Sequence, residues 1–71
     1  MMVAFGEVYI NPFNISSIQV VDGNLLSVTE VVVTMNSGEK HRDVFDSYKQ
    51  AEDFVEWMAL VISPELEADD D

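Results

Sequence analysis

No cysteine occurs anywhere in these 71 residues, so whatever the chain folds into must be held together without disulfides. A chain of this length buries roughly 60% of its unfolded surface, which leaves a thin core unless a disulfide, a metal site or self-association supplements it. Without cysteine the first is gone, and thiolate metal sites go with it. His41 is the single histidine, which argues against a structural zinc site as well. Self-association is the supplement that remains, and 48% hydrophobic residues provide material for it. The reading is one domain over residues 1–63, forming a homodimer, with no cofactor and no metal. The lack of cysteine also fits a reducing compartment.

The apolar pattern separates strands from a helix. Val3 to Ile10 is rich in strand formers, with Gly6-Glu7 as a bend or bulge inside it. Asn11-Pro12-Phe13-Asn14 reads as a turn, because Pro12 fixes φ and asparagine tolerates unusual backbone angles. Ile15, Ile18 and Val20 lead into a strand that ends at the hairpin signal Asp22-Gly23-Asn24. Val28 to Met35 is the clearest strand: Thr29, Val31, Val33 and Met35 share one face, and Glu30, Val32 and Thr34 share a mostly solvated one. Asn36-Ser37-Gly38 turns the chain into a charged, edge-like strand from Glu39 to Phe45.

A helix starts at Ser47, which forms a capping box with Gln50, and Asp46 adds negative charge at the same end. Ala51, Phe54, Val55, Met58 and Ile62 recur at helical spacing and make one core stripe, and Ser63-Pro64 stops the helix. The expected fold is α+β: an antiparallel meander of three or four strands with one C-terminal amphipathic helix packed on one face.

Trp57 lies about 100° from the centre of the core stripe, with Val61 between and Leu60 beyond. A helix that only covers a sheet does not need this second apolar edge. Either Trp57 and Leu60 pack against Leu25 and Leu26, or they form a patch for self-association or for a partner, where tryptophan is a frequent anchor.

Charge narrows the partner. The formal net charge is −11, and five of the fourteen acids fall in the tail from Glu65 onward, which reads as a disordered acidic segment over residues 64–71. The preceding 64 residues still carry −6. Such a surface repels nucleic-acid phosphates and anionic lipid and favours a basic protein surface. A rigid nucleic-acid mimic would need carboxylates fixed at phosphate-like spacing. Asp46, Glu52, Asp53 and Glu56 supply part of such a face, but the remaining acids are dispersed. The longest apolar stretch of the helix, Trp57 to Ile62, is far short of a membrane span, and Met1 to Phe5 lacks the basic start of a secretion signal. The expected location is the cytoplasm, which is the host's if the chain is phage-encoded.

The bases are confined to one window: Lys40, His41, Arg42 and Lys49. Together they could contact a phosphate or carboxylate. On a strand, however, Lys40 and Arg42 point one way and His41 the other. The sequence has no nucleophile–base–orienter set, no glycine-rich phosphate loop and no EF-hand spacing, so the chain is read as non-enzymatic.

The run Asn11-Pro12-x-x-Ile15-x-x-Ile18, Thr29-x-Val31-x-Val33, Asn36-Ser37-Gly38-x-Lys40 and Val44-x-Asp46-Ser47 before an amphipathic helix resembles the flagellar FlbD family. It is also similar to short, mostly uncharacterised proteins of tailed bacteriophages. The resemblance spans about residues 8 to 62 and rests on turns, strands and a helix cap. It implies a meander-plus-helix module and carries over no functional residue. Three functions follow as expectations. The first is an interaction module, such as a phage inhibitor of a host protein or defence factor, with Trp57, Leu60 and Val61 as apolar anchors and Glu52, Asp53 and Glu56 as charged rim. The second is a sponge for a nucleotide signal, using Lys40, His41, Arg42 and Lys49 at a subunit interface where two such windows meet. The third is a flagellar assembly factor.

Overall fold

The structure, a computed structural model, describes residues 1–22 and 28–63. The hairpin signal beyond Asp22, the contact with Leu25 and Leu26 and the acidic tail over 64–71 lie outside the described residues.

Among the described residues, five strands and one helix follow in order: β1 (Val3–Phe5), β2 (Val8–Ile10), a 3₁₀ turn (Pro12–Asn14), β3 (Ile15–Asp22), β4 (Thr29–Met35), β5 (Lys40–Phe45) and α1 (Tyr48–Ile62). The expected α+β architecture is present, with β3-β4-β5 as a three-stranded antiparallel meander and α1 packed on it. The N-terminal run differs from the expectation of one strand with a bend. Gly6 takes φ +58°, a left-handed angle that glycine adopts without cost. The chain therefore reverses at Gly6-Glu7, and β1 and β2 pair as a separate two-stranded hairpin with Phe5 opposite Val8.

Register decides which residues meet the helix. Val20, Val31 and Asp43 lie side by side across the sheet, as do Ile18, Val33 and His41. Val31 and Val33 are fully buried on this face, under Ala51 and Met58 of α1, which are fully buried too. Phe54 joins the layers: its ring stacks on Phe5 at 5.5 Å and meets Phe45 at 5.4 Å between centroids. The hairpin thus belongs to the same core as the meander.

The opposite face of β4 is less open than the sequence suggested. Val32 is buried, at 8% exposure. Its neighbours across the sheet are Gln19 and Arg42, and the Arg42 guanidinium reaches diagonally to Glu30 at 3.4 Å. Long polar side chains on central and flanking strands cover an apolar neighbour with their stems while keeping their heads in water.

Turns and caps follow local chemistry. The Asn11 side chain accepts from the Phe13 amide at 3.1 Å, which starts the 3₁₀ turn, and Pro12 is buried beneath it. Ser47 caps α1 by accepting from the Gln50 amide at 3.2 Å, the first half of the expected capping box. At the other end the Ser63 amide donates to the Ala59 carbonyl at 2.8 Å. Ser47→Ala leaves the Gln50 amide to water alone and is expected to cost about 1 kcal/mol. For a domain of this size that lowers Tm by roughly 4–8 °C. A thermal melt followed at the helical circular-dichroism band reads it directly.

Candidate functional site

Helical geometry puts residues three and four apart on one side. Asp53, Glu56, Trp57, Leu60 and Val61 are linked by such steps and form one continuous flank of α1. The core stripe occupies the neighbouring side through Ala51, Phe54 and Met58, so this flank turns outward.

Exposure bears directly on the patch. Trp57 is 44% exposed and Leu60 36%, while Val61 is half-buried. The indole is not loose, because its ring lies 6.1 Å from that of Phe54, itself held between Phe5 and Phe45. One side of Trp57 is thus seated on the core and the other faces solvent. Such an anchor needs little further ordering when it docks, which lowers the entropic cost of association.

Carboxylates surround this edge. Glu52, Asp53 and Glu56 are all exposed. Lys49, one turn before Asp53, gives Nζ to its Oδ1 at 3.1 Å and to Oδ2 at 3.4 Å. That hydrogen bond, then the charge of Asp53 and more weakly those of Glu52 and Glu56, raise the Lys49 pKa above its ordinary 10.5. A cation whose pKa is raised by folding stabilises the fold fully below 10.5 and loses that contribution only as the pH rises through the folded value. Lys49 therefore keeps its charge at neutral pH and offsets part of the negative charge of this flank, most strongly at Asp53.

Lys40, His41 and Arg42 line one shallow cleft of about 490 Å³ between β5 and the β1–β2 turn, but Lys49 stands apart from it on α1. Arg42 pairs with Glu30 on the sheet face away from the helix. Lys40 shares that face, and Lys49 is on α1. His41 lies opposite Val33, on the helix side of the sheet, with Nε2 3.8 Å from Glu39 Oε1. It borders a cleft of about 320 Å³ whose other walls include Tyr9, Asn11, Asn14 and Asn36. These residues come from two stretches, 9–14 and 35–41, that meet only in the fold, so no local sequence signal marks the cleft. Among the described residues, no three His, Cys, Asp or Glu side chains gather as metal ligands.

No helix of the described residues is long and apolar enough to cross a membrane. Comparison with protein-family profiles, curated proteins and solved structures returned no match.

Proposed function

We propose that the chain is a small acidic interaction module, not an enzyme, which works as a homodimer and grips a basic protein surface through the outer flank of α1. Trp57 and Leu60 are the anchors, Val61 extends the apolar edge, and Glu52, Asp53 and Glu56 form the rim. The supporting observation is the position of Trp57: a large aromatic seated on Phe54, 44% exposed, beside exposed carboxylates. Apolar anchors of this kind carry most of the energy in an interface, and the surrounding charge sets partner choice and encounter rate. With the resemblance to phage proteins, the biological sense is inhibition of a host protein or defence factor in the cytoplasm.

The test compares two variants against a captured partner. Trp57→Ala with Leu60→Ala is expected to keep the circular-dichroism spectrum and weaken binding at least about 30-fold, the equivalent of one strong anchor. Glu52→Gln with Glu56→Gln is expected to slow association and flatten its dependence on salt. Full binding by a folded Trp57, Leu60 double variant would remove the basis of the proposal.

The nucleotide-sponge reading needs Lys40, His41, Arg42 and Lys49 together at a subunit interface, since one chain gathers the first three along β5 and holds Lys49 apart on α1. Excess absorbance at 260 nm in the purified protein, lost on mild denaturation, would support it.

A further inference from the structure

The two edges of the meander are not alike. β5 is a charged strand, carrying Lys40, His41, Arg42 and Asp43. The β1–β2 turn is also pressed against it: a Cβ added at Gly6 would stand 2.7 Å from the Arg42 carbonyl oxygen. β5 is thus guarded by charge and by a neighbouring hairpin, both ordinary ways of blocking strand addition.

β3 has neither protection. It runs for eight residues, Ile15–Asp22, and its only charged side chain is at the last position. β4 is its sole strand partner among the described residues, which leaves the outer edge from Ile15 to Val21 without a second strand there. An irregularity between Ile15 and Ser17 interrupts the ladder with β4, while Ser17 to Asp22 pair with it continuously. Beside the first half of β3, a shallow cleft of about 300 Å³ separates the strand from the last turn of α1. Ile15, Ile18, Ala59 and Ile62 line it.

We infer that β3 is the dimer edge, pairing antiparallel with β3 of a second copy so that two meanders join as one six-stranded sheet. Three observations favour a second copy over another occupant. Antiparallel pairing is two-fold, so the strand is its own complement and needs no partner sequence. Apart from Asp22 at its end β3 carries no charge, so self-pairing centred on Ser17 to Gln19 sets no like charges face to face. Of the meander's two edges only β3 is unguarded among the described residues, and two-fold pairing through it uses that edge up, so association closes at two chains instead of growing into a fibre. The cleft lies on the same border, where the neighbouring protomer covers its isoleucines. This surface is separate from the Trp57 flank, which remains outward in the dimer.

The absence of cysteine makes the test clean. Single variants Ser16→Cys, Ser17→Cys, Ile18→Cys, Gln19→Cys and Val20→Cys are oxidised mildly, with Val44→Cys on β5 as the comparison. In a two-fold ladder the residue at the dyad faces its own copy, so cross-linking should peak at one position of β3 and be several-fold weaker at Val44→Cys. Light scattering should give twice the chain mass of 8.0 kDa for the wild type. Raising salt should strengthen this dimer, because the two chains have the same sign, whereas it should weaken a complex with a basic partner. Ser17→Glu with Gln19→Glu, both at exposed positions, should return the mass to 8.0 kDa with an unchanged spectrum. A wild type of one-chain mass at millimolar concentration overturns the inference. So does cross-linking that peaks at Val44→Cys. Loss of the dimer in the glutamate variant with partner binding intact would leave the Trp57 proposal standing, so the two can fail separately.

Discussion

Phe5→Ala should reduce the unfolding free energy by about 3–5 kcal/mol, the usual cost of emptying a buried aromatic site. Domains of this length have a total of roughly 0.05–0.15 kcal/mol per residue, so the loss is a large fraction of all the stability there is. The reason is position. Phe5 is 1% exposed, and its ring stacks on Phe54 at 5.5 Å, so its removal opens the joint between the N-terminal hairpin and the helix. Phe13, at 58% exposure, supplies the control: Phe13→Ala should change stability by no more than about 0.5 kcal/mol. Urea unfolding of the two variants measures the contrast. Equal midpoints would mean that the hairpin is an appendage and not part of the core.

Gly6→Ala should be the second severe change, at about 2–4 kcal/mol. Two costs combine there. A left-handed backbone angle, φ +58°, strains any residue with a Cβ, and the new methyl would meet the Arg42 carbonyl oxygen at 2.7 Å. That oxygen belongs to the backbone of β5 and cannot swing aside as a side chain would. Relief comes only by lifting the β1–β2 turn off β5. Gly38 separates the two contributions: it has φ +95°, but nothing lies within 4 Å of an added Cβ. Gly38→Ala should therefore cost only the conformational part, about 1–2 kcal/mol. If the two alanine variants unfold at the same urea concentration, the close approach of turn and strand is not felt.

These contrasts show what could be read from the residues and what could not. The helix was legible almost to the residue, because Ser47 announces its start, Pro64 its end, and the apolar stripe has an unambiguous period. β4 was equally plain from its valines. The Gly6-Glu7 reversal was ambiguous, since a glycine within a run of strand formers marks a bulge as readily as a hairpin, and the choice depends on β5 lying alongside. Val32 departs from the simple alternation for a related reason: the period assigns it to the outer face, but Gln19 and Arg42 become its neighbours only once the register is known. At the candidate site, helical periodicity alone sets Trp57 and Leu60 apart from the core stripe, but it leaves open whether they pack on a loop or face solvent. The seating of the indole on Phe54, the pairing of Asp53 with Lys49 and the unguarded edge of β3 all depend on contacts between elements or on side-chain geometry.

Trp57 is the single tryptophan, so the fluorescence of the unmodified protein reports from the proposed contact itself. The most direct measurement is a titration with the captured basic partner, chosen or engineered to lack tryptophan, following emission and acrylamide quenching. A partner seated on the α1 flank should shift the emission to the blue and shield the indole from acrylamide, and added salt should weaken the complex. A complex that forms with emission and quenching unchanged would place the contact elsewhere and contradict the account.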